Sequence, residues 1–293
     1  MALLVVNACF LALPLAALAF LRDLRSAIAV GAVYAIAIAC SPLPAHYVYS
    51  GALEIQGGVA CGIFIASAML VLQGREVRSR PALLAMLAGS AFLFPLYKDT
   101  IAPVVVAAAL LAVLVRAAID RSAPRWLSPR SPEMRTLLRF AAIPLAVSLL
   151  LTAFYNEVKY GTPLPAAYLA LAKQTSPPVL TSAEFLAGSV LSPNGGILIF
   201  WFLPFLVAVL LLRWLGATFD RLSIAIAATV AMLSLLAFSL WWCPFGWDSW
   251  GDRLMIPPML SLLLVVLLTA DLDFGKGAPV LAGNAVLALP MLL

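Results

Sequence analysis

The sequence predicts an all-α, polytopic transmembrane bundle of about nine or ten helices, a single membrane domain spanning 1–293. Three observations carry that prediction. The chain is 64% hydrophobic and 11% charged, with a mean hydropathy of +1.07, which is too apolar for a soluble globule. Its apolar residues gather into long runs. Its basic residues fall on alternate loops between those runs.

Nine strong runs lie near 2–21, 26–40, 57–72, 82–96, 101–115, 140–153, 196–212, 222–242 and 254–270, and a tenth covers 278–293. Each reads as a helix, because a bilayer offers no water to satisfy an open backbone. Runs shorter than about 18 residues must recruit their flanks, tilt or thin the bilayer. Pro14, Pro95, Pro103, Pro144 and Pro204 fall in or beside runs, where neighbouring helices and water can satisfy the freed carbonyls. Cys9, Cys40, Cys61 and Cys243 are scattered without a C-x-x-C, so neither a disulfide framework nor a cysteine zinc site is expected. No internal repeat is visible.

Charge then orients the runs. Of the 18 basic residues, 14 fall on one set of loops: Arg22 and Arg25; Arg75, Arg78 and Arg80; Arg116, Arg121, Arg125, Arg130, Arg135 and Arg139; Arg213 and Arg221; and Lys276. The opposite set holds Lys98, Lys159, Lys173 and Arg253. The positive-inside rule makes loops near 22–25, 73–81, 116–139, 213–221 and 271–277 cytoplasmic. The outer loops lie near 41–56, 97–100, 154–195 and 243–253. The expected localisation is a bacterial-type cytoplasmic (inner) membrane, multi-pass, with the 41–56, 97–100, 154–195 and 243–253 loops facing outward. The first helix must then run from outside to inside, and the tenth run ends without a closing polar segment. Both ends are expected to be cut.

The outer loops hold the chemistry-bearing residues. Trp241, Trp242, Trp247 and Trp250, four of the seven tryptophans, crowd one outer boundary beside Asp248, Asp252 and Arg253. An indole suits the membrane–water boundary because its ring is apolar and its N–H wants a partner. Such a stretch is either an aromatic belt with a solvated ion pair or a polar site at the membrane face. The 41–56 loop carries His46, Tyr47, Tyr49 and Glu54. The long 154–195 loop has too many tyrosines and apolar residues for disorder, and short helices lying along the membrane surface are expected there.

Tyr155-Asn156-x3-Tyr160-Gly161-x-Pro163-Leu164-x3-Tyr168, then Leu191-Ser192-Pro193-x-Gly195-Gly196, then Trp250-Gly251-Asp252-Arg253-Leu254-x2-Pro257 follow one another on the outer side. This order resembles the polytopic GT-C glycosyltransferases, which include protein mannosyltransferases and aminoarabinose transferases. The likeness spans about residues 26–265. It implies transfer of a sugar from a polyprenyl-phosphate donor to a glycan, lipid or protein acceptor of the cell envelope. It also implies a catalytic carboxylate in the first outer loop. Here no Asp or Glu precedes Asp23, which sits among cytoplasmic arginines, so that carboxylate is expected to be missing and activity of this chain alone to be low.

Within that frame Arg253 is the phosphate candidate, since a guanidinium can grip phosphate oxygens in a two-pronged contact. Its alternative is pairing with Asp248 or Asp252. Glu54 and Asp248 are the candidate catalytic carboxylates, Glu54 matching by position a second acidic residue of some family members. His46, Asn156, Lys159, Tyr160, Tyr168, Trp247, Trp250 and Asp252 are candidate substrate contacts. His46 and Glu54 are candidate ligands for a divalent metal ion (Mg, Mn or Zn), against an interfacial His46 and a helix-capping Glu54. Membrane lipid is an expected partner and nucleic acid is not. Two alternatives stay open: a truncated or non-catalytic scaffold of the same fold, and a lipid or solute transporter. A transporter would place ionisable residues mid-helix, and the runs hold none.

Overall fold

The structure is a computed structural model that describes residues 2–41, 46–47, 53–97, 103–108, 131–163, 177–193, 196–240 and 253–273. Within them the protein is an all-α bundle. Helices α1 (Ala2–Leu21) and α2 (Leu24–Ala39) are followed by α3 (Glu54–Leu72) and α4 (Arg80–Tyr97). A long rod follows, made of α5 (Pro132–Leu137), a π-helical turn (Leu138–Ala142) and α6 (Ile143–Tyr160). Next come α7 (Val179–Leu191), α8 (Ile197–Phe200), α9 (Phe202–Trp214) and α10 (Arg221–Ser239). A 3-10 turn (Arg253–Met255) leads into α11 (Ile256–Thr269). Among the described residues, five helical stretches are long and apolar enough to cross a membrane: Leu4–Leu21, Glu54–Leu72, Arg80–Tyr97, Pro132–Tyr160 and Arg221–Ser239.

Burial separates the centre from the periphery. Helix α3 is 83% buried along its span, whereas the Pro132–Tyr160 rod is only 11% buried. Every residue of α11 except Leu262 is buried. A helix that is apolar all round must be enclosed by others or by lipid, and α3 and α11 enclose each other. Their contact is set by a small-residue seam. A Cβ on Gly58 would lie 3.0 Å from Pro257 Cα, and one on Gly62 would lie 2.9 Å from Leu264 Cβ and 3.1 Å from Ser261 Cα. Two glycines four apart let the backbones approach closely. The single hydroxyl proton of Ser261 is shared between the Gly58 carbonyl across the seam, at 3.0 Å, and the Pro257 carbonyl of its own helix, at 2.6 Å.

This register makes α3 and α11 parallel, with both N-termini at one end of the bundle. The opposite end is locked by polar contacts. Arg22 donates to the carbonyls of Leu268, at 2.9 Å, and Ala270, and Arg75 donates to Thr269 at 3.1 Å. Gln73 and Ser223 both donate to Asp220, whose other oxygen caps α10 by accepting from Leu222 N–H at 3.2 Å. A two-residue antiparallel ladder joins β1 (Ala217–Thr218) to β2 (Asp271–Leu272). Four loops read as cytoplasmic therefore meet at one end.

Two boundaries differ from the sequence reading. The 154–195 loop begins only after Tyr160, where Gly161 (φ 71°) caps α6 in the left-handed conformation. The 116–139 loop ends at Ser131, whose side chain caps α5 by accepting from Met134 N–H at 3.1 Å. The rod continues through Pro144 by way of the π turn. Pro144 has no N–H to offer the Phe140 carbonyl, and Ile143 N–H reaches back to Leu138 instead. One short helix, α7, does fall in the long outer loop.

Candidate functional site

The N-terminal end of the α3–α11 pair is where two of the nominated residues, Glu54 and Arg253, meet. Glu54 opens α3 as its acidic first-turn residue, and Arg253 opens the turn that feeds α11. Arg253 Nε lies 3.2 Å from Glu54 Oε1. That nitrogen is buried but not aimed well enough for a hydrogen bond, so the contact is an ion pair set by distance rather than direction. Glu54 is 11% exposed along its side chain and Arg253 is 33% exposed, so the arginine stays reachable while its partner is enclosed. Two helix N-termini and a guanidinium converge here, a local field that favours negative charge.

Behind the pair lies a buried polar layer. Gln56 Nε2 donates to Asn7 Oδ1 at 2.8 Å, and Asn7 Nδ2 donates to the Tyr47 carbonyl at 3.3 Å. Asn7, Gln56 and Tyr47 are all buried, so this chain ties the start of α1 to the start of α3 and to the loop before it. Neither amide was nominated from the sequence. The signal was present, because Asn7 and Gln56 are polar residues in or beside apolar runs and such residues need partners. At the same end the ring of Tyr97, from the end of α4, meets Phe10 edge-on at 5.3 Å. Tyr47, Glu54, Tyr97 and Arg253, described residues of the loops near 41–56, 97–100 and 243–253, thus lie at this end.

The other nominated residues divide. His46 is exposed and packs edge-on against Tyr47 at 4.9 Å. Asn156 is buried near the end of α6. Lys159 lies 5.5 Å from the Tyr155 ring centre and 5.0 Å from that of Tyr160, a cation–π cluster on the last turn of α6. No hydrogen bond or ion pair among the described residues joins Asn156, Lys159 or Tyr160 to Glu54 or Arg253. Tyr168, Trp247, Asp248, Trp250 and Asp252 lie outside the described residues. The Ser-Pro-x-Gly-Gly turn is partly described. A Cβ on Gly196 would lie 2.6 Å from both Ser192 N and Ser192 O, so that tight turn between α7 and α8 demands glycine.

Among the described residues no three His, Cys, Asp or Glu side chains gather as a metal site. Glu54 is already committed to Arg253. Compared with family models, with curated proteins and with solved structures, the chain matches none.

Proposed function

We propose that this chain is an integral membrane protein of GT-C-like type, binding a polyprenyl-phosphate-linked sugar at the Glu54–Arg253 end of the bundle. On this reading the sugar passes to a cell-envelope glycan, lipid or protein, and the site faces outward from a bacterial-type cytoplasmic membrane. The observation that carries it is a half-buried arginine fixed by an enclosed carboxylate at the convergent N-termini of two apolar helices. Arg253 supplies the cationic fork for the phosphate, and Glu54 positions it. The membrane setting is supported by the Pro132–Tyr160 rod, which exposes Ile143, Val147, Leu150, Phe154 and Val158. An apolar band of that extent belongs against lipid.

The test is titration of the purified chain in lipid nanodiscs with a polyprenyl phosphate. Arg253→Ala weakens binding by about 2–3 kcal/mol, the scale for losing a charged hydrogen-bonding partner. Arg253→Lys recovers only part, since a point charge cannot reproduce a planar fork. A second reading, a non-catalytic scaffold, is favoured by the fact that the same pair ties α3 to α11. It requires that Arg253→Ala and Glu54→Gln lower thermal stability together and leave lipid-phosphate binding unchanged.

A further inference from the structure

A cleft of about 980 Å³ lies at the other end of the bundle, between the α1–α2 turn, the 73–78 turn and the end of α11. That size falls within the roughly 300–1,000 Å³ usual for a ligand cleft. Its charged lining is balanced: Arg22, Arg75 and Arg78 face Asp23, Glu76 and Asp271, with leucines, Leu24 among them, completing the wall.

Those six groups are not equivalent. Arg22 and Arg75 spend donors on the carbonyls that end α11, and Asp271 lies close enough to Arg22 to offset part of the cost of its burial. Asp23 Oδ1 accepts from Ser26 N–H at 3.0 Å as the cap of α2. Arg78 is exposed and makes only a long contact to the Ala19 carbonyl, at 3.4 Å, while Glu76 is exposed two residues before it. The cleft thus presents one cation and one anion side by side above leucines.

We propose that this cleft binds the headgroup of a zwitterionic aminophospholipid, with its phosphate toward Arg78 and its ammonium toward Glu76. Basic pockets between membrane helices recognise lipid headgroups by the same electrostatics, and an added carboxylate selects for an amine. The inference rests on the membrane reading above, but not on the Glu54–Arg253 site.

The experiment uses the full chain, delipidated in detergent, with native mass spectrometry to count bound lipid. Phosphatidylethanolamine, phosphatidylglycerol, phosphatidylcholine, O-phosphoethanolamine and inorganic phosphate are compared. Phosphatidylethanolamine binds most tightly. Arg78→Ala weakens it about five-fold, on the scale of one juxtamembrane arginine. Glu76→Gln weakens phosphatidylethanolamine while sparing or strengthening phosphatidylglycerol. Neither side chain caps a helix N-terminus among the described hydrogen bonds; at the start of α4 it is Ser79 that accepts from Ala82 N–H. Equal or tighter binding of phosphatidylglycerol overturns the proposal in favour of an acidic lipid. Equal binding of O-phosphoethanolamine or phosphate overturns it in favour of a soluble ligand. Lipid binding untouched by both variants places the lipid elsewhere and overturns it as well. Polyprenyl-phosphate binding, followed in the same samples, keeps failure here distinct from failure of the outer site.

Discussion

Arg22 closes the C-terminal end of α11 with donor hydrogens aimed at carbonyls that the helix itself leaves unsatisfied. Its charge also sits favourably against the negative end of the helix dipole. Arg22→Ala should cost about 1–3 kcal/mol, the penalty for leaving buried carbonyls unpaired, with Arg22→Lys falling between. Thermal unfolding in detergent measures both, and an unchanged midpoint for the alanine variant would remove the capping role. Next to it, hydrogen bonds from Ser26 hold the Asp23 carboxyl below its ordinary value. A depressed acid stabilises the fold when ionised, so this contribution is present above the ordinary aspartate range and is lost as pH falls through the lowered value. Asp23→Ala should lower stability near neutral pH by about 0.5–2 kcal/mol, while Asp23→Asn, an equally good cap, should not and should remove the acid-side slope. Loss of stability by both variants alike would argue against capping. The sequence places Arg22 on one of the loops expected to be cytoplasmic. Its partners were not legible, because the carbonyls it caps lie 246 and 248 residues away in the chain.

Helices α3 and α11 meet along Gly58, Gly62, Pro257 and Ser261, and that seam sets where both N-termini lie. Within a bilayer, lipid tails are as apolar as leucine, so close packing and hydrogen bonds must hold helices together. Gly62→Leu should therefore force the pair apart and cost about 1–3 kcal/mol by overpacking. Ser261→Ala should cost only about 0.5–2 kcal/mol, the range for one interhelical hydrogen bond. If Gly62→Leu melts at the wild-type temperature, the seam does not bear on stability. The apolar runs made most described helices legible to within a few residues, and the exceptions have physical causes. Tyr155 to Tyr160 read as loop for their polarity, yet they continue a helix that ends at the left-handed Gly161. The two-residue ladder between Ala217–Thr218 and Asp271–Leu272 is too short to leave a period in the sequence.

The whole molecule has two unlike ends. Among the described residues, one gathers the loops near 22–25, 73–81, 213–221 and 271–273, interlocked by Arg22, Arg75, Gln73 and Asp220. The other gathers Asn7, Tyr47, Glu54, Gln56 and Arg253. Glu54 and Arg253 were nominated from the sequence on opposite halves of the chain, and the fold pairs them. The supporting amides were not nominated, since a polar residue in an apolar run reveals a need for a partner but not which one. The central claim is that the Glu54–Arg253 end faces outward and the arginine-rich end faces the cytoplasm. Single cysteines at 46 and 78, in a chain whose native cysteines are replaced by alanine, test it directly with a membrane-impermeant maleimide on intact cells. Position 46 should label in intact cells, and position 78 only after the membrane is permeabilised. Labelling of 78 from outside, or of both positions from the same side, would contradict the account.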